Sequence, residues 1–113
     1  MKVSELRELG GFVSAEPVER EVVWTRTENG EEKSDSFSVL IRRQSFGSIE
    51  KLLLAENDDR SRSARFLAES VLLGDGSERL TYEDAYRLAP SLAAVLIEAV
   101  AEVNGTGRDT AKN

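Results

Sequence analysis

The chain has 113 residues and a mass of 12.5 kDa, a size at which one hydrophobic core is expected because two cores would each be marginal. Its hydrophobic share of 40% and charged share of 32% are those of an ordinary folded protein rather than a disordered or fibrous one. The net charge of -6 repels phosphate backbones and argues against nucleic-acid binding, and the absence of cysteine excludes disulfides, thiolate metal sites and cysteine nucleophiles.

The N-terminal residues predict neither a signal peptide nor a membrane anchor. Glu5, Arg7 and Glu8 interrupt any hydrophobic stretch there. The longest apolar run near the other end, residues 92–97, is far shorter than the roughly 20 residues of a membrane span. We therefore expect a soluble, cytoplasmic protein that makes no membrane contact.

A short helix and a β-hairpin are the first predicted elements. Ser4 can cap a helix over residues 4–9, which ends at two glycines. Residues 17–27 have the β-branched and aromatic content of a strand, and Asn29-Gly30 suits the centre of a type I′ turn. The chain should therefore turn back on itself into a second strand.

An Asn-Gly turn of this type also predicts the register of the hairpin. It pairs Trp24 with Asp35. Strand alternation then gathers an apolar set on one face: Val18, Val22, Trp24, Phe37, Val39 and Ile41. The other face is largely polar except for Val23 and Leu40, which we expect to lie near each other at diagonal positions.

The rest of the chain predicts helices. Apolar residues recur at three- and four-residue intervals in two stretches: Phe46, Ile49, Leu52 and Leu53, and then Ala64, Leu67, Ala68, Val71 and Leu72. Thr81, with Asp84 three residues on, indicates a capped short helix that Pro90 ends. A last amphipathic helix is predicted over residues 91–103.

The predicted fold class is therefore α+β, with the short helix and the hairpin packed on a C-terminal segment of three to four helices. One domain is expected over residues 1–105. Residues 106–113 contain nothing to bury and should be disordered.

Candidate chemistry is sparse in this sequence. There is no histidine, the commonest general acid or base at neutral pH. Adjacent carboxylates occur at predicted turns or helix starts, where acids are expected for capping: Glu31-Glu32, Asp58-Asp59 and Glu83-Asp84. Two of these acids also roughly offset the local cluster Arg60, Arg62 and Arg65. We predict no enzyme, no cofactor and no metal, and a function performed by a contact surface.

Several segments, in their order along the chain, resemble the tail assembly chaperones of long-tailed bacteriophages. They are Ser38-Val-Leu-Ile-Arg-Arg-Gln-Ser-Phe-Gly47, Asp58-Asp-Arg-Ser-Arg-Ser-Ala64, Tyr86-Arg-Leu-Ala-Pro-Ser-Leu92 and Glu102-Val-Asn104. The similarity covers about residues 3–105. No single segment is diagnostic, because these are fold-forming rather than catalytic positions.

The resemblance implies a partner and a role. Such chaperones bind the aggregation-prone tape measure protein in the infected cell, self-associate, and are absent from the finished virion. Many also have a longer form, made by programmed ribosomal frameshifting, whose extension recruits the tail tube protein. Ala111-Lys112-Asn113 can be encoded with a slippery run of adenines, although an ordinary polar tail is the alternative.

The contact residues are a separate hypothesis. Val23 and Leu40 on the outer hairpin face, and the run Leu52, Leu53 and Leu54, are expected to contact the client or neighbouring copies. Intramolecular packing is the alternative for each of them. Two other functions stay open: a small head-tail or tail-terminator subunit retained in the particle, and an acidic regulator of another protein.

Overall fold

The computed structural model describes residues 1–53 and 61–105, except the side chain of Leu53. Its elements follow one another as α1 (Val3–Glu8), β1 (Val18–Glu28), β2 (Glu31–Ile41), α2 (Phe46–Leu53), α3 (Arg62–Ser70), β3 (Val71–Leu73), β4 (Glu78–Arg79), α4 (Tyr82–Tyr86) and α5 (Pro90–Asn104). This order confirms the predicted α+β class, with a short helix and a hairpin ahead of a mainly helical segment. None of the helices in the described ranges has the length and apolarity to cross a bilayer.

The hairpin has the predicted turn and the predicted register. Asn29 and Gly30 both have positive φ, 51° and 81°, as the central positions of a type I′ turn require. The pairing runs without interruption from Glu28 opposite Glu31 to Val18 opposite Ile41. The apolar side chains therefore share the inner face, on which Val22, Val39 and Ile41 are buried.

Trp24 is half-buried on that inner face and is held by polar contacts. Its Nε1 donates a hydrogen bond of 2.8 Å to the hydroxyl of Ser91, at the start of α5. The guanidinium of Arg26 lies 4.0 Å from the centre of the indole ring, and it also donates to Asp35. The middle of strand β1 is thus attached to the start of α5.

The second predicted helix is too long. Helix α3 ends at Ser70, and Val71–Leu73 is the strand β3, although Val71 and Leu72 were expected to continue the helical stripe. The described strands form one antiparallel sheet in the order β1-β2-β3-β4, with Leu40 opposite Leu72. On the side away from β1, the last residues of β2 have backbone groups that need partners. When Val71–Leu73 pairs with them, backbone groups of both strands are satisfied, whereas a further turn of α3 would satisfy only those of the helix.

The core lies between the inner face of the sheet and helices α3 and α5. Its buried members are Val22, Val39, Ile41, Ala64, Leu67, Val71, Ala85, Leu96, Ala99 and Val100. Helix α5 presents the predicted apolar stripe to this core, while Glu98 and Glu102 are exposed. Pro90 occupies its first turn, and Gly105 ends it with φ at 67°.

A polar cluster joins the ends of β2, α3 and α5. The Oδ1 of Asn104 accepts a hydrogen bond of 2.6 Å from the backbone N–H of Gln44, and its Nδ2 donates to the carbonyl of Val100. The amide of Gln44 reaches the buried hydroxyl of Ser70 at 3.1 Å, and the N–H of Arg42 donates to the Ser70 carbonyl. Two of the segments that carry the family resemblance, those with Gln44 and Asn104, meet in this cluster.

Helix α4 has the predicted cap but a shorter span. The hydroxyl of Thr81 accepts a hydrogen bond of 3.0 Å from the N–H of Asp84, and the helix ends at Tyr86, four residues before the Pro90 that was expected to end it. The predictions for Asp58-Asp59, Arg60 and residues 106–113 lie outside the described residues.

Candidate protein-binding surfaces

Val23 lies on the outer face of the hairpin, as predicted, and 50% of its surface is exposed. It borders a groove of about 180 Å³ between β1 and α5. The other residues that line the groove are Glu21, Val22, Val95, Glu98, Ala99 and Glu102. Both apolar side chains and carboxylates therefore line this groove.

Leu40 is in a different environment from Val23. It is half-buried, it pairs with Leu72 of β3, and a Cβ at Gly76 would lie only 3.1 Å from its Cδ1. The diagonal contact expected between Leu40 and Val23 is wrong, because Leu40 lies opposite Glu19. Glu19 is four residues from Val23 along β1, a distance of roughly 13 Å at the rise of a strand.

The difference in exposure between Val23 and Leu40 predicts that lysine at each position changes the free energy of unfolding by a different amount. Val23→Lys should change the free energy of unfolding by less than about 0.5 kcal/mol, because the side chain is at the surface. Leu40→Lys should lower it by about 1–3 kcal/mol, because the ammonium would meet the β3–β4 turn. Urea denaturation of both variants measures the two values, and equal values would contradict the placement of Leu40.

Leu52 lines a cleft of about 210 Å³ between α2 and α3. The other described residues around the cleft are Ile49, Arg62, Ser63 and Phe66. Its walls are mainly apolar, with one cation at the rim. Leu53 ends α2, but its side chain and Leu54 lie outside the described part of the chain, so that portion of the hypothesis stays a prediction.

The structure shows a further apolar surface that was not predicted as a site. Helix α1 buries none of its residues, and the exposed apolar side chains of residues 3–13 form what we call the N-terminal apolar segment: Val3, Leu6, Leu9, Phe12 and Val13. Leu9 is 74% exposed and Val3 61%. An isolated six-residue helix is too short to be stable in water, and the described part of the chain does not cover its apolar stripe. The apolar spacing of this segment was visible in the sequence, but its exposure was not.

In the described part of the chain, two charged groups have shifted pKa values, and neither lines the groove or the cleft. Asp35 raises the pKa of Arg26 by accepting its hydrogen bond, beside the Trp24 ring. The pKa of Asp75 is lowered because the hydroxyl and backbone N–H of Ser77 donate to its carboxylate in the β3–β4 turn. Both pKa shifts arise from hydrogen bonds to nearby side chains or backbone groups. Among the described residues, no group of three or more acidic, cysteine or histidine side chains is placed to hold a metal ion.

The described surface therefore presents grooves and exposed apolar side chains, which are features of a protein that works by contact with other proteins. Residues 4–104 match the family described as phage tail assembly chaperone, TAC. The match covers most of the chain, and the protein belongs to this family. No curated protein and no solved structure gives a significant match.

Proposed function

We propose that this protein binds the tape measure protein and keeps it soluble during tail morphogenesis, without enzymatic activity. Family membership supports the role in tail assembly. The structural observation that carries the proposal is the N-terminal apolar segment, which the rest of the described chain does not bury. An exposed apolar stripe suits a client whose own apolar surface must be covered until assembly.

The site of action follows from this role. The protein would act in the cytoplasm of the bacterial host and be absent from the mature virion. Contacts at the N-terminal apolar segment, Val23 and the cleft around Leu52 would each be weak. Many self-associating copies along one client would still hold it by avidity, and each copy could be displaced when tube subunits arrive. A frameshifted extension that recruits the tail tube protein fits the same role.

Co-expression with the tape measure protein tests the proposal. We expect the client to be soluble with the chaperone and insoluble without it. Mass spectrometry of purified virions should not find the chain. Finding it there in stoichiometric amounts would favour a structural subunit of the head-tail region or the tail end.

A double variant tests the N-terminal apolar segment. Leu9→Lys with Phe12→Lys should reduce the recovery of soluble client several-fold, because two exposed contacts are replaced by hydrated charges. The control is Ile97→Lys, which adds a lysine at an exposed apolar position on α5 and should leave client recovery unchanged. Circular dichroism checks that each variant is folded. Full recovery with the double variant would exclude this segment from client binding.

A further inference from the structure

Strand β1 is an edge strand within the described ranges, and half of its backbone groups face away from the sheet. In a two-residue hairpin the residues that flank the turn exchange hydrogen bonds, and the pattern then alternates. Counted from Glu28, the N–H and C=O groups that point outward belong to Glu19, Glu21, Val23, Thr25 and Thr27. No described backbone or side-chain group forms a hydrogen bond with these outward backbone groups. An uninterrupted edge of this length is a template for another strand.

The groove beside this edge is acidic. Glu98 and Glu102 line it from α5, and Glu21 lines it from β1, with apolar Val23 and Val95 between them. No ion pair joins these three carboxylates to a described cation. The nearby Arg20, which lies opposite Val39, likewise forms no ion pair with a described carboxylate. A strand added at the edge would place every second side chain beside the carboxylates of α5.

We propose that the β1 edge and this groove bind an extended, basic peptide segment of a partner protein by strand addition. Outward backbone groups of β1 would pair with the segment, and lysine or arginine at alternate positions would face Glu98 and Glu102. A second copy of β1 is disfavoured, because each copy would bring the same carboxylates to the shared seam. The proposal deepens the function proposed above and rests on it only for the identity of the partner.

A pair of proline variants tests the backbone part. The probe is a capped synthetic peptide of alternating lysine and valine, and its binding to the full chain is measured by isothermal titration calorimetry. Val23→Pro removes one outward N–H and should weaken binding by about tenfold or more, because strand addition depends on these hydrogen bonds. The matched control is Ser36→Pro, directly across the hairpin, whose N–H faces away from β1 and which should bind the peptide within about twofold of the unmodified chain.

A second pair of variants tests the charge part. Glu98→Gln with Glu102→Gln should weaken peptide binding by roughly tenfold at low salt and flatten its dependence on salt, since two exposed ion pairs are lost. Glu50→Gln on the exposed face of α2 is the charge-matched control and should have no effect. A peptide with glutamate in place of lysine should not bind.

Besides failure of the lysine peptide to bind the unmodified chain, three results would overturn the inference. They are full binding by Val23→Pro, equal binding of the lysine and glutamate peptides, and dissociation of a peptide-free oligomer by Val23→Pro in sedimentation, which would show that a second copy covers the edge. The function proposed above is judged separately. If the unmodified chain keeps the tape measure protein soluble while the lysine peptide fails to bind, only the strand-addition inference falls.

Discussion

Replacing Leu67 by alanine should lower the free energy of unfolding by about 2–5 kcal/mol, the range for a large-to-small change in a packed core. Leu67 is 1% exposed and lies on the face of α3 that packs against the sheet and α5. The loss combines the transfer free energy of the removed methyl groups with the cavity that rigid neighbours leave open. Since natural domains are stable by about 5–15 kcal/mol, this change alone could remove much of the folded population at physiological temperature.

Urea denaturation followed by the fluorescence of Trp24 measures this effect. The matched control is Ser63→Ala, on the exposed face of the same helix, which should stay within about 0.5 kcal/mol of the unmodified chain. The denaturant slope should be the same for both variants, because neither alters the surface exposed on unfolding by much. A loss below about 1 kcal/mol for Leu67→Ala would contradict its place in the core.

Asn104→Ala should destabilise the fold by about 1–3 kcal/mol, because it leaves the backbone N–H of Gln44 without its acceptor. The side chain of Asn104 also donates to the carbonyls of Val100 and Arg42, so it holds the end of β2 against α5. The neighbouring Glu102→Ala is the control, since Glu102 is exposed and lies outside this cluster.

A double-mutant cycle with Gln44→Ala separates the contribution of the cluster from that of each side chain. The two substitutions should be non-additive by about 0.5 kcal/mol or more, because the Gln44 side chain anchors to Ser70 the same residue whose backbone N–H donates to Asn104. Additive losses would indicate that Gln44 and Asn104 stabilise the fold independently. In that case the cluster would not couple the two segments that carry the family resemblance.

Much of the fold was predictable because the relevant signals are local. Asn29-Gly30 selects a turn in which both residues have positive φ, and that turn alone determines which residues of the two strands face each other. The buried stripe of α5 follows from helical periodicity. Pro90 at the first position of the helix and Gly105 after its last residue indicate where the helix begins and ends. Among the described residues of the segments that indicated the family, Ser61 caps α3, and Gln44 and Asn104 meet in one cluster, so the fold requires particular side chains there.

The candidate surfaces were less predictable, because exposure depends on what else packs nearby. Val23 and Leu40 look equivalent in the sequence, as apolar residues on a polar face. In the structure Leu40 is covered by the β3–β4 turn while Val23 stays at the open edge. The N-terminal apolar segment has the pattern of a packed helix, and only the structure shows that the described chain leaves it uncovered.

By itself the sequence determined the class of the fold, the hairpin register and the absence of histidine and cysteine chemistry, since each depends on residue type and short spacing. Tertiary structure decided that Val71–Leu73 pairs with β2, and that, within residues 1–53 and 61–105, β1 has a free edge beside Glu98 and Glu102. Those outcomes depend on competition between distant segments for the same hydrogen-bonding groups and the same core, and local propensity does not encode such competition.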